Sequence, residues 1–321
     1  MSDLDFNKVY DNSQVVCYQK CPMAYYLQYV KGLVKSDSKE SSTLHIDFGS
    51  HFHKFLELFY DREMKGGKEP INVNEIWSTF EDREDEAVKT RRNGERLCLA
   101  YVENYKGQDR FEILEVEKSR VFDLGDYKFI VKRDAVVRES GNVFSFEHKT
   151  TGSLGPWCFD NYFIDSQMDA QTYVTGLDYG FCSGVLLNVA EPKWIEKNVL
   201  LRPDDPNVKL YSEVEIKYSS YHKYKCEMAY CKGFRSNFAR DIVSRSEGEI
   251  EQWKNNTIGW IEKIEESKKK GEWLRSGSGW GCSRCQYKEI CKVSKGIKVD
   301  ESMTEIMYEE IDPYGYLKEG V

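Results

Sequence analysis

The sequence predicts an α/β or α+β domain with a helical annex. Three observations carry this. Apolar residues recur at helical spacing over the first 105 or so positions, alternate from 112 to 149, and then frame a helix between further short apolar runs. Helices first, then a small sheet crossed by a helix, give that class.

Residues 13–32 read as a helix opened by Ser13 and closed near Gly32, broken or restarted at Pro22. A polar Ser/Asp/Lys linker at 35–43 precedes a second helix over about 48–65, striped by Phe48, Phe52, Phe55, Leu56 and Phe59. A third helical block covers 74–105. Strands are predicted at 112–122, 127–138 and 143–149, divided by the turn signals LGD and ESGN. A helix at 165–179, strands at Gly184–Ala190 and Asn198–Leu201, a mixed stretch at 209–242 and an amphipathic helix at 247–270 follow. A cysteine cluster and an acidic tail end the chain.

Of the 321 residues, 40% are hydrophobic and 31% charged, a globular composition that excludes disorder and collagen-like repeats. No apolar run approaches the roughly 20 residues a membrane span needs, and MSDLDFNKVYDNS has neither the basic nor the apolar segment of a secretory signal. The expected compartment is cytoplasmic, where wholesale pairing of the ten cysteines is disfavoured. A net charge of −8 argues against indiscriminate coating of nucleic acid, while leaving room for a local basic groove.

The stretch YKFIVKRDAVVRESGNVFSFEHKTT, 127–151, is the most informative. With Ser140-Gly141 as a two-residue hairpin loop, Glu139 pairs with Asn142 and Asp134 falls opposite Glu147. Lys149 shares their face, and Phe129, Val131, Ala135, Val137, Phe144 and Phe146 form a core face. Opposed carboxylates repel. A hard divalent cation held by oxygen ligands reverses that cost, and a lysine beside it can act on a water or a phosphate. The alternative is an ordinary hairpin with a solvated charged face. Gly49, His53 and Glu57 lie at i, i+4 and i+8 on one helix face, with His51 as the competing histidine. In SQMDAQTYV, Gln167 and Gln171 share a face from which amides can reach a phosphate or a ligand.

GWGCSRCQYKEIC places Cys282, Cys285 and Cys291 within ten residues, thiolates that select zinc or iron–sulfur. A fourth ligand is required: Cys21, in YQKCP, is favoured, with Cys17 one helical turn earlier as the substitute. The spacing lacks the two CxxC knuckles of a zinc ribbon and fits an iron–sulfur cluster better, zinc remaining the alternative.

Taken in order, these elements resemble the RecB-like branch of the PD-(D/E)XK nuclease superfamily. The likeness is greatest to members with an iron–sulfur cluster, such as the CRISPR-associated exonuclease and its phage-encoded relatives. Cys21-Pro22 resembles the N-terminal cluster motif, Gly49-x3-His53 the GxxxH motif, Asp134 the motif aspartate, Glu147-His148-Lys149 the (D/E)-x-K motif, and Cys282, Cys285 and Cys291 the C-terminal cluster motif. Arg133 stands where the family has proline, and the QxxxY motif is blurred: Tyr173 follows Gln167 by six, and Gln171 holds the expected tyrosine position.

The resemblance implies a restriction-endonuclease-like core, a mixed central sheet flanked by helices, over 111–245. An N-terminal helical region would occupy 1–110, a C-terminal helix with the iron–sulfur segment 246–295, and an acidic tail 296–321. It implies Mg²⁺ or Mn²⁺ on His53, Asp134, Glu147 and the backbone carbonyl of His148, with Asp134, Glu147 and Lys149 catalytic. Gln167, Gln171 and Tyr173 would orient substrate, and Cys21, Cys282, Cys285 and Cys291 would hold a [4Fe–4S] cluster. The implied activity is DNA hydrolysis by in-line attack of water, as an exonuclease on single strands or ends, in recombination and repair or phage DNA processing. A catalytically weak nucleic-acid-binding or scaffold subunit on the same fold is the alternative.

Overall fold

Asp11 opens the first helix. Its carboxylate accepts the backbone N–H of Gln14 at 2.7 Å, so the cap is Asp11 rather than Ser13. The short strand β1 (Val9–Tyr10) ends immediately before it and fixes where the helix can start. The computed structural model describes residues 5, 8–35, 43–84, 86–105, 107–219, 226–294 and 306–318. Helix α1 (Asn12–Lys20) stops ahead of Pro22, and α2 (Pro22–Tyr25) restarts with proline at its first position and runs on as a π-helical turn to Val30. Gly32, at φ 64°, turns the chain into β2 (Leu33–Lys35). Most of the polar linker expected at 35–43 lies outside the described residues.

Helix α3 (Thr43–Met64) begins earlier than the periodicity predicts, and its stripe of Phe48, Phe52, Phe55 and Leu56 is buried. The block expected to be helical over 74–105 is broken. It comprises α4 (Val73–Ile76), a 3₁₀ turn at Trp77–Thr79, an irregular stretch, and α5 (Arg91–Tyr105). The break lets Trp77 and Phe80 turn inward onto Phe48. Trp77 lies so close to α5 that a Cβ on Gly94 would meet its ring at 2.3 Å.

Strands β3 (Glu112–Leu124), β4 (Tyr127–Glu139) and β5 (Asn142–Thr150) fall where alternation predicts them. Ser140 and Gly141 form the two-residue loop, both at positive φ (50° and 85°), and Glu139 pairs with Asn142. After α6 (Pro156–Phe163) and α7 (Ser166–Tyr179), the two short strands expected at 184–201 are one, β6 (Gly184–Leu201), whose pairing shifts register between Ile195 and Val199. The mixed stretch resolves into β7 (Tyr211–Ser219) and β8 (Cys226–Val243). The sheet runs β1-β4-β5-β6-β8-β7, with β3 on the other edge of β4. β1 is parallel to β4 and β5 parallel to β6, and the remaining pairs are antiparallel. It is a mixed central sheet flanked by helices, an α/β fold.

Both faces are covered. On one, Phe146, Ala135, Val137 and Ala190 pack under α3 and α5. On the other, α7 and α8 (Glu247–Lys270) cover Phe122, Phe129 and Ile130. The charged face of the β4–β5 hairpin is therefore covered at its centre, where Glu147 is buried beneath α7, while Lys132 and Arg138 on the same face stay exposed. Helix α8 keeps its expected limits because Ser246 and Glu249 cap each other's backbone groups and Gly271 takes the left-handed C-terminal conformation.

The cysteine segment forms α9 (Gly279–Ser283) and α10 (Lys288–Val293). Of the segment expected to be an acidic tail, residues 306–318 fold back as β9 (Tyr308–Glu310), paired with β2, and α11 (Gly315–Lys318). Gly32 permits this, since a Cβ there would meet the Ile311 carbonyl oxygen at 2.3 Å. No helix among the described residues is long and apolar enough to cross a membrane.

Gly94→Ala tests the packing of Trp77. The added methyl has no room, so the protein should lose about 1–3 kcal/mol of stability, as overpacked cores do. Chemical denaturation with tryptophan fluorescence reads this, and an unchanged midpoint would contradict the contact.

Candidate active site

The ladder between β4 and β5 ends at Ala135 and Phe146. On the same edge of β4, β1 takes over at Lys128 and Phe129. Between these points the two strands part. β5 stays attached to β6 through Thr150, opposite Ala190. The backbone N–H of His148, left without a partner on β4, donates to Asp134 Oδ2 at 2.8 Å. Asp134 and Glu147 thus meet at a fork, one step past the last ladder pair. A cavity of about 380 Å³ opens beside the fork, lined by Asn12, Lys132, Lys149 and Gln167 among others but not by Asp134 or Glu147.

Three ligand groups converge on the fork. His53 Nδ1, from α3, lies 3.5 Å from Asp134 Oδ2. Glu117, on β3, completes a set with His53 and Asp134 whose ligand atoms all lie within 4.8 Å of one another. Glu117 is absent from the residues picked out by sequence. The available signal was its place in LEVEK, where it falls beside Asp134 between the pairs Val116–Ala135 and Lys118–Arg133. Its φ of 47° is rare for a residue with a Cβ, local strain of the kind that gathers at functional sites. Lys132 Nζ holds it at 2.7 Å.

His51 faces elsewhere, between Trp77 and Phe80, with its ring nitrogens on Asp47 O and Thr79 Oγ1. On the same helix face as His53, Gly49 approaches Thr150 Oγ1, and Glu57 adds negative charge near Glu117 while pairing with Lys54.

The electrostatics favour a cation. Burial works against ionising both Asp134 and His53, but their mutual attraction prevails: Asp134 is held below the usual carboxylate range and His53 above the usual imidazole range. Glu147 is pushed up by burial and then by the Asp134 charge, and Glu117 by the same two causes. One imidazole and a crowd of mutually repelling carboxylate oxygens suit a hard divalent ion.

Glu147 itself is engaged on both oxygens. Lys149 Nζ and the Gln167 amide (2.8 Å) reach Oε1, and the Gln171 amide reaches Oε2. Gln167 Oε1 also accepts from Lys149 at 3.0 Å, and Gln171 Oε1 from Ser145 at 3.1 Å. Asp165 caps α7 through the Gln167 N–H, which sets this register. Both glutamines therefore brace Glu147, and Tyr173 is turned away, packed on Phe122 and Trp253. Burial opposes the charge on Lys149, but Glu147 and Asp134 outweigh it and hold the ammonium above its ordinary pKa. His148 points its ring to the opposite side of the sheet, where burial drives it down to about 3 and keeps it neutral. The ring stands edge-on to that of His53, 6.2 Å between centroids, and the backbone N–H is what reaches Asp134.

Cys21, Cys282, Cys285 and Cys291 lie near one another. Burial raises the Cys285 and Cys291 thiols, and the neighbouring Cys21 and Cys282 sulfurs raise them further. Cys17, pushed up to about 12 by burial, also feels Cys21 and Cys285. Both candidate N-terminal ligands are thus near the C-terminal group. Met23 N–H on the Leu274 carbonyl (2.9 Å) and Arg275 on the Cys291 carbonyl (3.0 Å) tie the segments together.

A divalent ion requires neutral His53, whereas the metal-free site favours its protonated form. Mn²⁺ binding should therefore release a proton, and affinity should rise with pH until the raised His53 pKa is passed. Calorimetry in buffers of different ionisation enthalpy measures this. His53→Ala should flatten the pH dependence, His51→Ala should leave it intact, and Glu117→Gln should weaken binding at every pH.

The family model of the PD-(D/E)XK nuclease superfamily matches residues 12–292. Comparison with curated proteins found no match. Among solved structures, one described as "Crystal structure of SSO0001" is similar, at 15% identity over 91% of this chain and 89% of that one, with a TM-score of 0.31. With a family match running from α1 to α10, the chain belongs to the PD-(D/E)XK nuclease superfamily and is a metal-dependent nuclease.

Proposed function

We propose that the chain is an Mg²⁺- or Mn²⁺-dependent deoxyribonuclease acting as an exonuclease on single strands or DNA ends. The observation that carries this is the convergence of His53, Glu117 and Asp134 with the Glu147–Lys149 pair at one strand fork. The assignment to recombination and repair or phage DNA processing, and to a RecB-like branch, rests on the motif order. In this reading residues 111–245 are the nuclease core, 1–110 contribute His53 and Cys21, 246–295 carry the other cluster thiols, and 296–321 form the tail.

His53, Asp134 and Glu117 would hold the ion, with Glu147 and the His148 carbonyl at its border. The ion supplies charge stabilisation to the phosphodiester and lowers the pKa of water. Lys149 is already protonated at neutral pH, so its part is electrostatic: its ammonium steadies developing charge on the phosphate or orients the attacking water. Glu147 holds that ammonium in place, and Gln167, bonded to both, fixes their spacing. Gln171 ties the pair to Ser145 and so to β5.

Lys149→Ala separates binding from turnover. Mn²⁺ should still bind while cleavage of end-labelled DNA falls by a factor on the order of 10² or more. Asp134→Ala should abolish both. Tight DNA binding by the unaltered protein with no cleavage under Mg²⁺ or Mn²⁺ would favour a scaffold role instead.

Cys21, Cys282, Cys285 and Cys291 are proposed to bind a [4Fe–4S] cluster, with zinc as the alternative. Protein purified without oxygen should be brown and contain iron and sulfide. Cys285→Ala should remove the colour, and a folded colourless protein holding stoichiometric zinc would reverse the assignment.

A further inference from the structure

Behind the fork, on the α3–α5 side of the sheet, lies a polar network anchored by Arg240 of β8. Its Nε donates to Asn188 Oδ1 at 3.0 Å. Its terminal nitrogens reach Tyr60 OH at 3.1 Å, Tyr101 OH at 3.0 Å and the Asp109 carboxylate. The guanidinium stacks 3.5 Å above the Tyr105 ring. Asn188, buried on β6, donates its amide to Tyr101 OH at 3.1 Å and to His148 Nδ1 at 3.0 Å. The His148 ring is stacked on Tyr60 and packed against Phe146.

The donor inventory gives this chain a direction. Arginine only donates, so the Asn188 oxygen must face Arg240 and its NH₂ must face His148. His148 Nδ1 is therefore an acceptor and the ring proton sits on Nε2. His148 stands between Glu147 and Lys149, and its N–H binds Asp134. Ring and backbone are held at once, the ring from the α3–α5 side and the N–H within the sheet by Asp134.

We propose that Arg240 is a positioning residue for the catalytic centre, acting through Asn188 and His148 to fix the backbone of Glu147–Lys149 and the Asp134 carboxylate. This rests on the nuclease reading above. Arg240 touches neither ligand nor substrate. Its effect is to set one amide orientation, one imidazole tautomer and one position of the strand that bears the (D/E)-x-K residues. Partners of this kind typically alter metal affinity or activity 10- to 100-fold.

Three variants test it: Arg240→Gln, Arg240→Lys and Asn188→Asp. The last keeps volume and still accepts from Arg240, but cannot donate to Nδ1, so it forces the other tautomer. ¹⁵N NMR of histidine-labelled, metal-free protein should show the Nε2–H form of His148 in the unaltered chain and a changed signature in Asn188→Asp and Arg240→Gln. Calorimetry should show Mn²⁺ affinity weakened about 10- to 100-fold in both, and kcat should fall with KM for DNA little changed. Arg240→Lys keeps the charge beside Asp109 but loses the Nε contact, so it should recover thermal stability without recovering Mn²⁺ affinity. Should Arg240→Gln fail to fold, Asn188→Asp carries the same readouts. Variants that lose stability yet keep the tautomer, Mn²⁺ affinity and kcat of the unaltered protein would overturn the proposal. An unaltered protein that neither binds Mn²⁺ nor cleaves DNA would instead overturn the nuclease assignment, a failure visible before any variant is made.

Discussion

Where β4 and β5 part beyond Ala135 and Phe146, one backbone N–H loses its cross-strand partner, and the Asp134 carboxylate takes its place at 2.8 Å. Much of the site depends on that substitution. A continued ladder would leave no cavity between the strands and no reason for Asp134 to turn toward His148. β1 occupies the far end of the same β4 edge, so the opening is bounded at both ends by ordinary sheet pairing. A gap of this kind inside a sheet covered on both faces would leave backbone groups unsatisfied, and the aspartate meets that need while presenting its charge to α3 and His53.

The charges in and around the fork are balanced by position as much as by number. Asp134 gains from His53, Glu147 from Lys149, and Glu117 from Lys132, so each acidic group of the fork has a basic neighbour. The balance is incomplete, since Glu147 and Glu117 are still pushed toward protonation by burial and by Asp134. That residual repulsion is what a divalent ion relieves. The negative charge of Glu147 and Asp134 also gives Lys149 its high proton affinity, which in the proposed mechanism suits the lysine to charge stabilisation rather than to proton abstraction.

Distant parts of the chain are drawn in to keep the fork rigid. Helix α7 sends two amides to Glu147, and β8 reaches it indirectly through Arg240, Asn188 and His148. The cysteine centre works on a longer scale. It lies where α1 and α2 meet the segment around α10, while β2 and β9 pair beside it and Tyr287 donates to the Leu33 carbonyl. A bound metal there would close a loop of nearly the whole chain, the geometry in which a cross-link restricts the unfolded state most.

The sheet strands of the site, the two-residue turn at Ser140-Gly141, helices α7 and α8, and the motif order of a PD-(D/E)XK nuclease can all be read from the amino acids alone. These are legible because they depend on local periodicity, turn chemistry and capping, which neighbouring residues settle among themselves. The broken block at 74–105 was not, because Trp77 leaves helical geometry for a contact with Phe48 and Gly94 that no local window contains. Glu117 is not legible for the same reason: its place in the candidate site comes from lying beside Asp134 across a strand pair, with a φ of 47° that its own residue type disfavours. Tertiary contacts alone settle that Glu147 on the charged side of the hairpin is buried, that the glutamines of α7 bind it, and that Arg240 stands behind His148. Each is a contact between segments far apart in the chain, where burial and unpaired donors, rather than local propensity, select the partner.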